Sequence, residues 1–178
     1  NAIVLIPAMA NFLLMLPDLD KYDTSSLQFW GSSGAILSTE TRKRIMKHFP
    51  NVKIFDLFGM TEMSALVSGL AHSESQGRET SVGKALPFLE IRVVDDEDND
   101  VPVGVVGEAI YRGPTVLKEY YKDPEATTEA MRGGWFHSGD LVRRDEEGFI
   151  YIVDRKKDMI VSGGENIYPA EIEEVLYK

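Results

Sequence analysis

Apolar and polar positions change rhythm twice along this chain. From residue 1 to about 80, short apolar runs alternate with helix-like segments. Residues 2–6 read as a strand and Pro7 as a break, followed by a helix. Phe12, Leu13, Met15 and Leu16 form a mostly apolar helix face, which predicts its burial. Residues 27–30 read as a second strand ending at Gly31-Ser32-Ser33-Gly34-Ala35, a sharp turn into a helix. Ser38 suits that helix's N-cap, Glu40 its positive first turn, and Pro50 its stop. Ile45 and Phe49 fall one turn apart on its inner side. Residues 52–58 make a third strand that runs into Gly59-Met60-Thr61-Glu62-Met63, and residues 70–81 a polar loop.

From Ser81 the rhythm shortens. Strands at 90–94, 105–111 and 149–153, separated by turn signals, predict a small barrel or distorted sheet. Asp123 and Pro124 open a short helix as cap and first residue. Asp140, after Ser138-Gly139 and before Leu141, reads as a tight turn feeding a strand. Such a carboxylate either closes the turn or accepts two hydrogen bonds from a cis-diol. A second change comes at residues 154–158, a charged run that reads as solvated surface or as a joint. Strand 159–161, loop Ser162-Gly163-Gly164 and strand 165–168 follow, and Pro169 starts a helix with Ile172, Val175 and Leu176 on one face.

Composition narrows the function classes. Hydrophobic residues make up 43% and charged residues 27% of the 178, a globular balance. A net charge of −10 argues against a nucleic-acid partner. With no cysteine there is no disulfide frame, thiolate metal site or cysteine nucleophile. His48, His72 and His137 are too dispersed for metal-ligand spacing. The acidic run 95–100 fails as a calcium loop, because the sixth position is Val101 or Val103 where glycine is required; it reads as a hairpin tip. No apolar run approaches the ~20 residues that span a bilayer, and the opening run has no basic flank, so a cytoplasmic setting is the default. The abrupt first and last residues read as those of a piece of a longer protein.

Four segments, in order, resemble the adenylate-forming superfamily, which includes acyl-CoA synthetases, luciferases and peptide-synthetase adenylation domains. They are Ser33-Gly34-Ala35-Ile36-Leu37-Ser38, Phe58-Gly59-Met60-Thr61-Glu62, the Gly134-Trp135-Phe136-His137-Ser138-Gly139-Asp140 motif, and Asp154-Arg155-Lys156-Lys157-Asp158 with Ser162-Gly163-Gly164-Glu165. The first departs from the family pattern at Ser33 and Ile36; the second has phenylalanine for tyrosine. The resemblance implies an α/β fold in three parts: strand–helix units over 1–80, a β-barrel-like subdomain over 81–155, and a hinge with the start of an α+β domain over 156–178. It implies a nucleotide site of Ser33, Gly34, Ala35, Asp56, Phe58, Gly59, Met60, Thr61, Asp140 and Arg155. Phe58 would cover adenine, Thr61 would meet the α-phosphate, and Asp140 and Arg155 the ribose. Glu62 would hold magnesium and Lys157 would be the hinge. Ser162, Gly163, Gly164 and Glu165 would serve the thioester step.

The implied reaction joins a carboxylic acid to coenzyme A through an acyl-adenylate, using ATP and releasing AMP, as in fatty acid metabolism. A domain loading a carrier protein, or a non-catalytic nucleotide-binding piece, is the alternative. The family's phosphate loop and its catalytic lysine match nothing here. The acid and the oligomeric state are not legible.

Overall fold

The structure, a computed structural model, describes residues 1–162, 165–169 and 172. Two sheets carry it. The first has the order β1 (Ala2–Leu5), β2 (Phe29–Ser33), β3 (Lys53–Phe58), β4 (Ser68–Leu70) and β5 (Lys84–Ala85). Its first three strands are parallel and the last two antiparallel. Helices α1 (Pro7–Leu14) and α2 (Thr39–His48) bury Ala10, Leu14 and Ile45 against Trp30 and Ile54 of this sheet. Pro7 sits at the first turn of α1, where its missing N–H costs nothing. Ser38 caps α2 by accepting Thr41 N–H at 3.2 Å.

The second sheet is fully antiparallel: β6 (Glu90–Val94), β7 (Gly107–Arg112), β8 (Phe136–Arg144) and β9 (Ile150–Arg155), in that order. Helix α3 (Pro124–Ala130) precedes β8, and Asp123 caps it through Ala126 N–H at 3.0 Å. One core joins the sheets, since Met63, Val67 and Val82 pack with Val93, Tyr111, Phe136, Val142 and Ile150. At the seam, Ile150 N–H donates to Gly83 O at 2.8 Å and Val82 N–H to Ile150 O at 2.9 Å. A hairpin of β10 (Ile160–Ser162) and β11 (Glu165–Ile167) follows.

Four expectations are corrected. The second strand is not residues 27–30 but runs on through Gly31, Ser32 and Ser33. Lying between β1 and β3, it pairs on both edges, and a Cβ on Gly31 would meet Val4 Cγ2 at 3.0 Å, so small residues suit a crowded central strand. The apolar face of α1 is not buried: Phe12 is 71% and Met15 70% exposed, because the helix packs through Ala10 and Leu14 instead. Asp140 does not precede a strand but lies within nine-residue β8, where Gly139 at φ +70 kinks the backbone. The last strand of that sheet does not stop at Val153: β9 continues through Asp154 and Arg155 because both pair with β8. Gly163, Gly164 and most of the helix expected after Pro169 lie outside the described residues.

Candidate functional site

β3 delivers the chain to a strained loop. After Phe58 it turns at Gly59, where a Cβ would stand 1.5 Å from Ala65 O. Thr61–Met63 form one 3-10 turn. Ser64 and Ala65 then take left-handed conformations at φ 53 and φ 87. Two consecutive non-glycine residues held there cost on the order of 1–3 kcal/mol each, strain that concentrates at functional sites. The neighbouring segment clamps this loop. Leu117 N–H donates to Glu62 O, Ser64 Oγ donates to Thr115 O at 3.0 Å, and Tyr120 Oη donates to Glu62 Oε1 at 3.1 Å. Thr61 is exposed and Glu62 half-buried. Phe58 is half-buried and packs partly on the shared core, as does Met60.

β8 and β9 deliver the second half. The kink at Gly139 is held by Gly139 N–H donating to Glu108 Oε1 at 3.1 Å and by Asp140 N–H donating to Ser138 Oγ at 3.1 Å. Asp140 is 2% exposed, and Arg155 Nε, directly across the strand pair, lies 2.7 Å from its Oδ1. Burial pushes the Asp140 carboxyl above the ordinary range; Arg155 opposes this, while the charges of Glu108 and Glu62 reinforce it. The Tyr111 hydroxyl is pushed up by burial and by the Asp140 charge.

Three buried polar atoms in these segments have no partner: Asp140 Oδ2, Tyr111 Oη and Thr115 Oγ1. A buried polar atom without a hydrogen bond costs about 1–3 kcal/mol, so unused capacity here fits a polyhydroxylated ligand. A diol reaching Asp140 must share or displace the half-exposed Arg155 side chain. Beside it, Ser138, Gly139, Arg155, Lys156 and Lys157 line an open groove of about 380 Å³. Lys157 is exposed on the turn that follows β9.

Not every candidate joins this cluster. Ser33 ends β2, with Gly34 at φ +83 after it. Ala35 lines a separate cavity of about 20 Å³, with Ser32, Asp56, Thr80 and Ser81. That volume holds about one water. The Asp56 carboxylate lies 2.6 Å from Arg42 Nη2 of α2, both buried, and burial raises its pKa against the pull of that arginine. Its side chain therefore braces α2 against the sheet. Ser162 and Glu165 are the paired ends of the last hairpin. Tyr111, Thr115, Glu108 and Tyr120 were absent from the expected site; each sits in an apolar or turn-rich run where it reads as core or linker. Glu108, a carboxylate inside a buried strand, was the one visible signal.

The family model described as AMP-binding enzyme matches residues 1–121. The chain belongs to that family. It is 35% identical over 173 residues to an indoleacetate–CoA ligase of Aromatoleum aromaticum, covering 97% of this chain and 34% of that protein. A long-chain-fatty-acid–CoA ligase of Escherichia coli is 38% identical over 176 residues, covering 99% of this chain and 31% of that protein. Among solved structures, an anthranilate CoA ligase in complex with anthranoyl-AMP superposes with a TM-score of 0.90 at 27% identity, over 99% of this chain and 34% of that one. An O-succinylbenzoate coenzyme A synthetase of Bacillus subtilis, in complex with ATP and magnesium ion, gives 0.87 at 31%, over 99% and 36%. The chain thus spans about a third of the length of these relatives. No helix among the described residues is long and apolar enough to cross a membrane.

Proposed function

We propose that this chain supplies the nucleotide-gripping part of an ATP-dependent acid–CoA ligase. In the first step an acid's carboxylate attacks the α-phosphorus of ATP, giving acyl-adenylate and pyrophosphate. In the second, the thiol of coenzyme A attacks the acyl carbon and AMP leaves. The observation that carries this reading is the buried Asp140 carboxylate, with one oxygen on Arg155 and the other unpartnered, within reach of the Glu62 charge. Asp140 would accept from the ribose diol and Arg155 would fix its orientation. Thr61, exposed at the start of the turn that leads into the strained residues, would donate to a phosphate oxygen.

Among the described residues no group of three or more His, Asp or Glu could cage a metal. Magnesium fits that sparse set, since it is commonly held by one or two carboxylates plus phosphates and water. Glu62, held in place by Tyr120, is the carboxylate we assign to it. When bound, magnesium would offset charge on the phosphates.

Coenzyme A as acceptor, rather than a carrier protein, is supported by the names of the relatives above. An amide bond synthetase of Marinactinospora thermotolerans also superposes, with a TM-score of 0.89 at 30% identity. The test is therefore ATP–pyrophosphate exchange by the full-length protein against fatty, aromatic and short branched acids, followed by CoA or an amine. Acid-dependent exchange with thioester formation is the expected result. Since ATP and CoA are its substrates, this reading implies a cytoplasmic enzyme.

The joint after β9 yields a separate prediction. Lys156 N–H donates to Gly139 O at 2.8 Å, and Asp158 N–H to Arg155 O at 2.9 Å, so the turn is pinned on both sides of exposed Lys157. We assign Lys157 as the pivot between the half-reactions. Lys157→Pro fixes φ near roughly −65° and restricts the preceding residue. Adenylate formation is expected to persist, while thioester formation from preformed acyl-adenylate falls on the order of a hundredfold. Equal losses in both single-turnover assays would remove Lys157 as the pivot.

A further inference from the structure

Glu108 is a charged residue in an apolar strand, its side chain 7% exposed. Its two oxygens bind different elements. Oε1 accepts Gly139 N–H at 3.1 Å, and Oε2 lies 3.1 Å from Lys156 Nζ. The other end of that glycine is held as well, because Gly139 O accepts Lys156 N–H at 2.8 Å. Both ends of the kink thus lead to two residues, Glu108 and Lys156.

Packing does not impose this kink. A Cβ at Gly139 would meet nothing within 4 Å, so no neighbouring wall forces the backbone to φ +70. Hydrogen bonds hold it, and the residue it aims is Asp140. Lys156 is itself steadied from the far side by Asp96, 2.8 Å away on the acidic hairpin tip. His137 Nδ1 lies 3.7 Å from Glu108 Oε1 and 2.8 Å from Arg132 Nη2. The buried carboxylate is therefore ringed by polar groups rather than left to the apolar core.

We propose that Glu108 is a positioning residue for nucleotide binding. It fixes the Gly139 backbone, and through it the Asp140 carboxylate, and it ties that kink to Lys156 at the start of the hinge turn. This rests on the reading of Asp140 as the ribose ligand. Glutamine at 108 keeps the shape and one acceptor. Its amide NH2 must then face either the Gly139 N–H or the Lys156 ammonium, donor against donor. One of the two ties is lost, and the kink is free to relax.

The experiment is calorimetric titration of AMP into the full-length protein, as wild type, Glu108→Gln, Lys156→Met, Asp140→Ala and the Glu108→Gln/Asp140→Ala double variant. Glu108→Gln is expected to weaken AMP by about tenfold, the scale of one lost hydrogen bond to a charged group. In pyrophosphate exchange its ATP KM rises while the acid KM stays unchanged, a split that general loosening would not produce. The double variant is expected to match Asp140→Ala within about twofold, since one effect acts through the other. Weakened AMP in Asp140→Ala with unchanged AMP in Glu108→Gln overturns this inference alone. Unchanged AMP in Asp140→Ala overturns the ribose reading and the inference together. Should Glu108→Gln fail to fold, Lys156→Met carries the test: about threefold weaker AMP supports positioning, and unchanged affinity overturns it.

Discussion

Asp140→Ala in the full-length protein is expected to weaken AMP binding about a hundredfold without unfolding it. A carboxylate gripping a diol makes two charge-assisted hydrogen bonds, each worth roughly 1.5–3 kcal/mol. The losses overlap, because Arg155 remains to offer donors, so about 3 kcal/mol in total is the working figure. The same residue strains the unliganded fold. Its pKa is raised, chiefly by burial, so its ionised form is less favoured folded than unfolded. For an acid shifted in this direction, the cost is absent below the ordinary value of 3.8 and fully present above the raised folded pKa. Stability therefore falls as pH climbs through that window, and Asp56, raised in the same direction, contributes on the same limb. Asp140→Asn keeps the shape and removes the charge. It is expected to raise Tm at neutral pH, to flatten the acid-to-neutral decline, and still to weaken AMP. Thermal melts from about pH 4 to about pH 8, beside AMP titrations, measure both sides. Unchanged AMP affinity in a folded variant would remove Asp140 as a ligand residue. A lower Tm for Asp140→Asn at neutral pH would mean that the Arg155 pairing outweighs burial.

Gly83→Ala is expected to cost roughly 4 kcal/mol, at the upper end for a single substitution. Two penalties combine. Gly83 has φ +84, where a side chain costs on the order of 1 kcal/mol. Its Cβ would also stand 1.8 Å from Gly69 O and 2.4 Å from Leu70 N, backbone atoms that cannot rotate aside. Relief requires moving β4 away from the seam where Ile150 bonds Gly83 O and Val82 N–H. Gly77→Ala is the control: φ is +75 there as well, but nothing lies within 4 Å of the added Cβ. It should cost only the conformational part, about 1 kcal/mol. Denaturant unfolding of both variants separates the terms, and equal losses would show that the seam yields easily. Met63 and Val67, which follow Glu62 in the chain, pack in the same core as Val82 and Ile150, so the seam also supports the loop that carries Glu62. A folded Gly83→Ala protein should therefore bind AMP more weakly as well.

What the sequence by itself determined were the features governed by near neighbours. Ser38 and Asp123 cap the helices they were expected to cap, because a side-chain oxygen needs only the N–H three residues on. Ile45 and Phe49 are buried together, since helical spacing puts them on one face. The motifs around Glu62 and Asp140, and the family to which they point, were legible as strings of residue types. What only the tertiary structure decided were the pairings across sheets. Nothing local in Gly31-Ser32-Ser33 distinguishes a turn from a central strand; two flanking strands make it one. Asp140 reads as a turn residue until β7 and β9 are hydrogen-bonded on either side of it. Asp56 reads as a site residue, and only the fold shows Arg42 arriving from α2 to bind it. Glu108, Tyr111 and Thr115 come to the site from a strand and loop about thirty residues upstream of Asp140. A contact across that distance depends on strand register, and register is chosen by the whole buried face rather than by any one residue.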